Sequence, residues 1–452
     1  MRGKGSSVEA TTAHRETSRR VRAPLSWATA FALRQYVMAS LWIAPLIGIV
    51  LGSLLADAAV ALDGAVRVPQ GWQYSTSTAS SVLSSIVGAM VALLGFVVTI
   101  GILVVQQATG TLSPRYMRLW YRDRLQKAVL ATFSGTFAFS FSLLRRIETD
   151  FVPDIGVTLA GAAVAVSLLL LLMYLNRFIH NLRPVAIAAL VARTGRRVLD
   201  RGTLLAARGT LRAADATRAP PPGPVTSVPC ATGGALQGFH PERLVALAER
   251  YDCFVVLTHP VGDFVPPGAT LFELHGAAPP PSAKLTGLVA LGVERTIEQD
   301  PAFGMRILVD IAIRALSPAV NDPTTAVQVL NHIEAFLHTI GRAELGGRYT
   351  LHDAHGVPRL EVPGRSWDDF LQLAVTEIRE YGAGSLQVCR RLRALFDGLL
   401  DAGLPERHRT AVRTELRLLD EAVDRRYPDP VRRATALTPD RQGIGGGARP
   451  RA

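Results

Sequence analysis

Two short runs gather the residues best suited to binding or catalysis. In Glu294-Arg295-Thr296-Ile297-Glu298-Gln299-Asp300-Pro301, three carboxylates surround one guanidinium. Oxygen ligands of this kind suit a hard metal cation, and the arginine suits an anion. The plainer account is that acids gather ahead of a helix, where its dipole favours them by roughly 0.3–1 kcal/mol each, and we prefer it. In Asn321-Asp322-Pro323-Thr324-Thr325, an N-cap oxygen precedes a first-turn proline, which accounts for Asp322 and Pro323. That leaves Asn321 and Thr325 for a ligand, so this turn is the better functional candidate. The candidate motif is therefore Arg295, Glu298, Asp300, Asn321, Asp322 and Thr325.

Other chemistry is thin. His352 and His355 are spaced as a metal pair, but they fall in a Gly-flanked loop rather than on a helix face, and a solvated turn is the better account. Whether a metal binds is left open. Cys230, Cys253 and Cys389 are odd in number and form no CxxC, so they imply neither a disulfide scaffold nor a zinc ribbon. There is no Walker A, GxSxG, HExxH or GxGxxG ahead of a helix. We expect no catalytic residues, no cofactor and no enzymatic activity.

The elements that must carry these residues divide the chain unevenly. It has 452 residues, a net charge of +12, 48% hydrophobic and 19% charged residues, too apolar for a disordered or nucleic-acid-binding chain. A membrane helix needs about 20 mostly apolar residues, and four segments qualify: Met38 to Ala56, Ser80 to Gln106, Leu125 to Leu144 and Ile155 to Asn176. Lys and Arg number eighteen in the N-terminal tail, the second loop and the stretch after the fourth span, against three (Arg67, Arg145, Arg146) in the other loops. The excess marks the cytoplasmic side, so both termini are expected there. Asp57 is placed at the outer end of the first span.

Small residues recur every four positions in the second span (Ser81/Ser85/Ala89, Ser84/Gly88/Ala92), the third (Ser134/Ala138/Ser142) and the fourth (Gly161/Ala165). Ordinary helix packing accounts for such patterns; the functional alternative is a polar path through Ser85, Ser134 and Ser142. Ser113-Pro114 opens a short helix in which Tyr116, Leu119, Trp120, Tyr121 and Leu125 mix with arginines, suited to a membrane boundary and to anionic lipid.

Beyond the spans, an Arg/Ala-rich helix (Val185 to Ala216) leads to the proline run Ala219 to Pro224, a linker. Helical character is expected from His240-Pro241 to Arg250, and strands at Cys253 to Thr258, Thr270 to Leu274 and Leu285 to Val293. The turn around Val261-Gly262-Asp263-Phe264-Val265 resembles the hairpin of lipoyl- and biotinyl-like folds. Lys284 stands in a different place from their modified lysine, so the resemblance implies a compact β module and no swinging arm. From Asp300 the chain reads as helices at Pro301 to Leu316, from Pro323, from Ser366, Ser385 to Leu400 and Pro405 to Arg426.

Several of these runs resemble a bacterial family of predicted membrane proteins, domain of unknown function 2254. They are Ser113-Pro114-Arg115, the turn at Val261 to Val265, the stretch Glu294 to Gly304, and Asp310-Ile311-Ala312-Ile313-Arg314-Ala315-Leu316-Ser317-Pro318-Ala319-Val320-Asn321-Asp322-Pro323. The resemblance implies a multi-span membrane protein with a cytoplasmic C-terminal region, and no activity. Only Lys4, Lys127 and Lys284 are lysine, and Arg, Ala, Gly and Pro abound, which fits a GC-rich bacterial genome and the plasma (inner) membrane.

The expected architecture is an α-helical polytopic membrane domain of four transmembrane helices plus a cytoplasmic α+β region. Its parts are a disordered basic tail (1–33), the membrane domain (34–184), a connecting helix and Pro-rich linker (185–224), a small β-rich module (225–293), a helical bundle (294–427) and a disordered tail (428–452). The expected partners are the lipid bilayer and further copies of the chain, not nucleic acid. The preferred function is a channel or transport-related component with a cytoplasmic regulatory domain; the alternative is a membrane-anchored sensor or scaffold. Reporter fusions after Arg67, Lys127, Glu148 and Asp200 should read out, in, out, in; a cytoplasmic signal at Glu148 would reject this topology.

Overall fold

The structure is a computed structural model that describes residues 26–65, 69, 73–111, 115, 121–149, 151–181, 183–207, 211–213, 221, 223–343 and 345–442. Both distal tails, the helix expected from Ser113 (except Arg115 and Tyr121 onward) and most of the linker at Ala219 to Pro224 lie outside the described residues.

Helix α1 (Trp27–Ala39), capped by Ser26, precedes α2 (Ile43–Ala65), α3 (Thr76–Thr111), α4 (Arg124–Leu144) and α5 (Asp154–Asn181). The last four are long and apolar enough to cross a membrane. The first span starts later and runs further than its hydropathy suggested, so Asp57 lies within α2, where it pairs with Arg146 beyond α4. Expected disorder up to residue 33 is corrected at Trp27, because Ser26 accepts the Thr29 N–H and starts a helix.

Helix α4 is the axis of this unit. Half of its span is buried inside the chain, against 22–28% for the others. It can be central because α2 meets it backbone to backbone: a Cβ at Gly48 would collide with the Ala131 carbonyl, and one at Gly52 with the Gly135 carbonyl. Such small-residue contacts let dispersion and backbone dipoles replace the missing hydrophobic drive in lipid. Around α4 lie Ser134, Thr136, Ser140 and Ser167, all buried, with Thr136 and Ser167 hydroxyls 3.3 Å apart. At the end remote from α1, Asp63 accepts the Ile155 N–H (2.9 Å) and Asp154 accepts the Tyr74 N–H (2.8 Å), tying the end of α2 and the residues before α3 to the start of α5.

Helix α6 (Pro184–Ala207) follows α5 after a short break. It is more than a connection: Ile187, Ala188, Val191 and Ala192 are buried in one core with α9 (Pro301–Ala315), α10 (Pro323–Arg342), α11 (Trp367–Gly382), α12 (Leu386–Leu400) and α13 (Glu406–Arg426). Phe336 packs where a Gly195 side chain would be, its ring 2.6–2.8 Å from the ideal Cβ position. The bundle therefore takes in the helix assigned to the linker segment. It also extends past residue 427. Helix α14 (Pro430–Leu437), capped by Asp429, buries Ala436, and Arg390 donates to the Thr438 carbonyl (3.1 Å). The disorder expected from residue 428 is corrected as far as residue 442, and the remainder of that tail lies outside the described residues.

Between α6 and α9 the chain forms β1 (Leu211–Ala213), β2 (Val225–Pro229), β3 (Gly234–Phe239), α7 (Pro241–Arg250), β4 (Phe254–Leu257), β5 (Phe264–Val265), β6 (Thr270–His275), α8 (Ser282–Thr286) and β7 (Val289–Gly292). Leu285, expected to begin a strand, is in α8 instead. The hairpin β8 (Arg348–His352) and β9 (Pro358–Pro363) returns from after α10. It completes a six-stranded sheet of order β1-β8-β9-β4-β6-β2, with β9 parallel to β4; β5-β3-β7 form a second sheet. The β module is thus discontinuous in sequence, because Leu360 and Val362 supply core that residues 225–293 lack.

Gly52→Ala is expected to lower the melting temperature of the full-length protein in detergent, at a cost of about 1–3 kcal/mol for the overpacked contact. Gly88→Ala, with nothing within 4 Å of its Cβ position, should leave it unchanged. Equal effects in thermal-shift chromatography would argue against the α2–α4 contact.

Candidate functional site

The run from Glu294 to Gly304 leaves β7 and starts α9, and its polar groups tie it to β3, to the start of α9 and to the connection ahead of α4. Gln237 of β3 donates to the Glu294 carbonyl (2.7 Å). The Gln299 amide brackets the backbone of Phe239, accepting its N–H and donating to its carbonyl, both at 3.0 Å. Asp300 accepts the Phe303 N–H on Oδ1 (3.1 Å), capping α9, and receives Arg295 Nε and Nη2 on Oδ2 at 2.9 and 2.6 Å. The Arg295 guanidinium also lies over the Phe303 ring.

Asp300 is almost fully buried, and burial pushes its carboxyl above the ordinary range against the opposing pull of Arg295. Gly262 closes over the pair with φ +99°, and any Cβ there would meet Asp300 Oδ2 and Arg295 Nη2. The glycine of the Val261 to Val265 turn therefore makes room for an ion pair. Next to it, Asp263 pairs with Arg365 at 3.2 Å. Lys284 donates to the Tyr251 hydroxyl (3.1 Å) on a short helix rather than on a hairpin tip.

Glu298 points the other way, towards the membrane helices. It accepts Gln35 Nε2 of α1 and Arg122 Nη1 from just before α4, and Arg122 Nη2 in turn donates to Oε1 of the Gln35 side chain. A second contact lies further along α9. Asp310 receives Arg306 Nε (2.7 Å) and Arg115, which follows α3. Arg306 then forks onto both Glu377 oxygens of α11 at 2.6 and 2.7 Å. Those hydrogen bonds hold the Glu377 carboxyl below its ordinary value.

The candidate motif splits. Arg295, Glu298 and Asp300 stand at the start of α9, and Asn321, Asp322 and Thr325 beyond its end, about 22 Å away at 1.5 Å per residue. At the second place Asp322 accepts the Thr325 N–H (3.0 Å) on one oxygen and the Thr325 hydroxyl (2.5 Å) on the other. Thr325 is therefore taken, correcting the expectation that it was free for a ligand. Asn321 has φ +45°, a left-handed position that asparagine tolerates, and its N–H bonds to the Ser317 carbonyl (2.8 Å). Among the described residues no group of three or more His, Cys, Asp or Glu could hold a metal. His352 ends β8, His355 is exposed in the turn, and Asp353 between them receives the His355 and Val357 N–H groups at 2.9 Å.

Ser85, Ser134 and Ser142 are not brought onto one surface. Ser85 is exposed and bonds back to the Ser81 carbonyl (2.8 Å), Ser134 is buried and Ser142 half-buried. Reading the sequence missed Gln35, Arg122, Arg306 and Glu377 as site residues. Arg122 entered only as a flanking charge, and Gln35 gave no signal beyond one amide in an apolar helix.

These features define a four-helix membrane protein whose extramembrane α+β region is clasped to the span connections by ion pairs. The chain belongs to the family described as "Predicted membrane protein (DUF2254)", whose model matches residues 38–397. It is similar to uncharacterised proteins of Mycobacterium tuberculosis and Mycobacterium bovis, each 29% identical over 426 residues, covering 90% of this chain and 80% of theirs. No solved structure matches it.

Arg295→Met should destabilise the protein by about 3–5 kcal/mol, since it strands a buried carboxylate. Asp322→Ala removes only a cap, at about 0.5–2 kcal/mol. Denaturant titration of both full-length variants should reproduce that order; the reverse would mean that the Arg295–Asp300 pair is not buried.

Proposed function

We propose that this protein is a non-enzymatic sensor of the bacterial inner membrane, with both termini cytoplasmic, in which the membrane helices and the extramembrane region report on each other. The observation that carries this reading is Glu298, held at once by Gln35 of α1 and Arg122 before α4. Two of the joins between the halves differ in physical kind. Helix α6 enters the apolar core of the bundle, a connection that cannot slip without opening cavities. Glu298–Arg122 and Asp310–Arg115 are partly exposed ion pairs, worth about 0–1 kcal/mol where solvent reaches them. A firm pivot beside a weak latch can change state at little cost.

A channel or transport role has one observation in its favour. Ser77, Ser81, Ser84, Gly88, Ala92, Gly95 and Thr99 of α3 form an exposed stripe, which could line a path only between several copies. The buried hydroxyls around α4 weigh against a path through a single chain.

Hydrogen exchange on the full-length protein in nanodiscs separates these readings when combined with liposome flux. Under the sensor reading, Glu298→Gln speeds exchange in α1 and leaves α6 unchanged, and wild-type liposomes show no flux. Unchanged exchange in α1 would reject the latch. Flux abolished by Gly88→Leu would establish the channel instead.

A further inference from the structure

We propose that α1 is a membrane-surface helix, with Leu33, Tyr36 and Val37 seated among the lipids at the bilayer boundary; this holds whether or not the latch transmits anything. One side of α1 is occupied by the extramembrane region. The Ala28 N–H donates to the Gly287 carbonyl (2.9 Å), Trp27 meets His240 edge-on at 5.6 Å, and Gln35 reaches Glu298. With 100° between successive residues, Trp27, Phe31, Gln35 and Met38 share that side. Leu33, Tyr36 and Val37 fall on the opposite one, 54, 57 and 42% exposed. Arg34 is the only charged residue among the thirteen. A helix apolar on both sides and packed on only one is not stable facing water.

What covers the open side follows from where α1 sits. Its last turn is tied to the start of a span: Lys127 of α4 donates to the Val37 and Met38 carbonyls at 3.1 and 2.7 Å. Three residues later α2 begins, and its exposed Leu46, Ile47, Val50 and Leu54 continue the apolar surface that lipid must cover. Trp42, at the join, is 57% exposed and directs its indole N–H to the Tyr36 hydroxyl (3.4 Å). Indole and phenol rings beside a lysine are the side chains that settle at the headgroup level. The extramembrane region thus rests on a helix whose other side is lipid.

Spin labels test this directly in the full-length protein in nanodiscs. All three native cysteines are buried, so labels can be placed at Leu33→Cys and Val37→Cys, with Leu55→Cys as the lipid reference and Arg417→Cys as the water reference. Collision with oxygen at Leu33→Cys and Val37→Cys should approach the Leu55→Cys value, and collision with a water-soluble nickel chelate should fall well below the Arg417→Cys value. Nickel access equal to that at Arg417→Cys would overturn the proposal, as α1 would then face water. Low access to both reagents would also overturn it, as protein would then cover the face.

Discussion

Asp300 is the residue on which the extramembrane region turns. One oxygen ends the irregular run and begins α9; the other holds Arg295, which fixes the strand side of the same junction. Because the carboxylate is buried, it must be paired, and the pairing decides what can stand above it. Gly262 is the answer, since only a residue without a Cβ leaves space there. The three-stranded sheet and the helical bundle are therefore set relative to each other by electrostatics under a glycine. The same run then turns Glu298 outward, towards Gln35 and Arg122.

Within the membrane helices the constraint is of a different kind. Lipid offers no hydrophobic gain for helix contact, so proximity must come from shape. Gly48 and Gly52 let α2 reach the carbonyls of α4, and α4 then carries its Ser and Thr side chains inside. Two of the buried hydroxyls there have partners: Ser167 donates to the Ala163 carbonyl (2.8 Å), and its oxygen lies 3.3 Å from that of Thr136.

Much of this was legible because periodicity and capping are local. The four apolar helices and the starts of α9, α10 and α11 at Asp300, Asp322 and Ser366 follow from residues within one turn of each boundary. The rest depends on partners far away in sequence. Strand β9 was hidden because Glu361, buried and paired with Arg348, breaks the apolar pattern that a core strand should show. The arginines of α6 read as membrane flanks while Ile187 and Val191 between the turns were entering the bundle. Arg122 and Gln35 look ordinary until Glu298, more than 170 residues beyond either, is brought to them.

The place of β9 in the larger sheet bears on how the chain is made. Strand β4 is flanked by β6, which follows it closely, and by β9, which arrives only after α9 and α10 have been synthesised. Until then β4 presents an unpaired edge beside newly inserted membrane helices, the condition under which strands pair wrongly or aggregate. Pairings across long sequence separation also form slowly. The ribosome thus releases an incomplete sheet for the time needed to make two helices, and any factor that guards nascent membrane proteins would meet this chain at that interval.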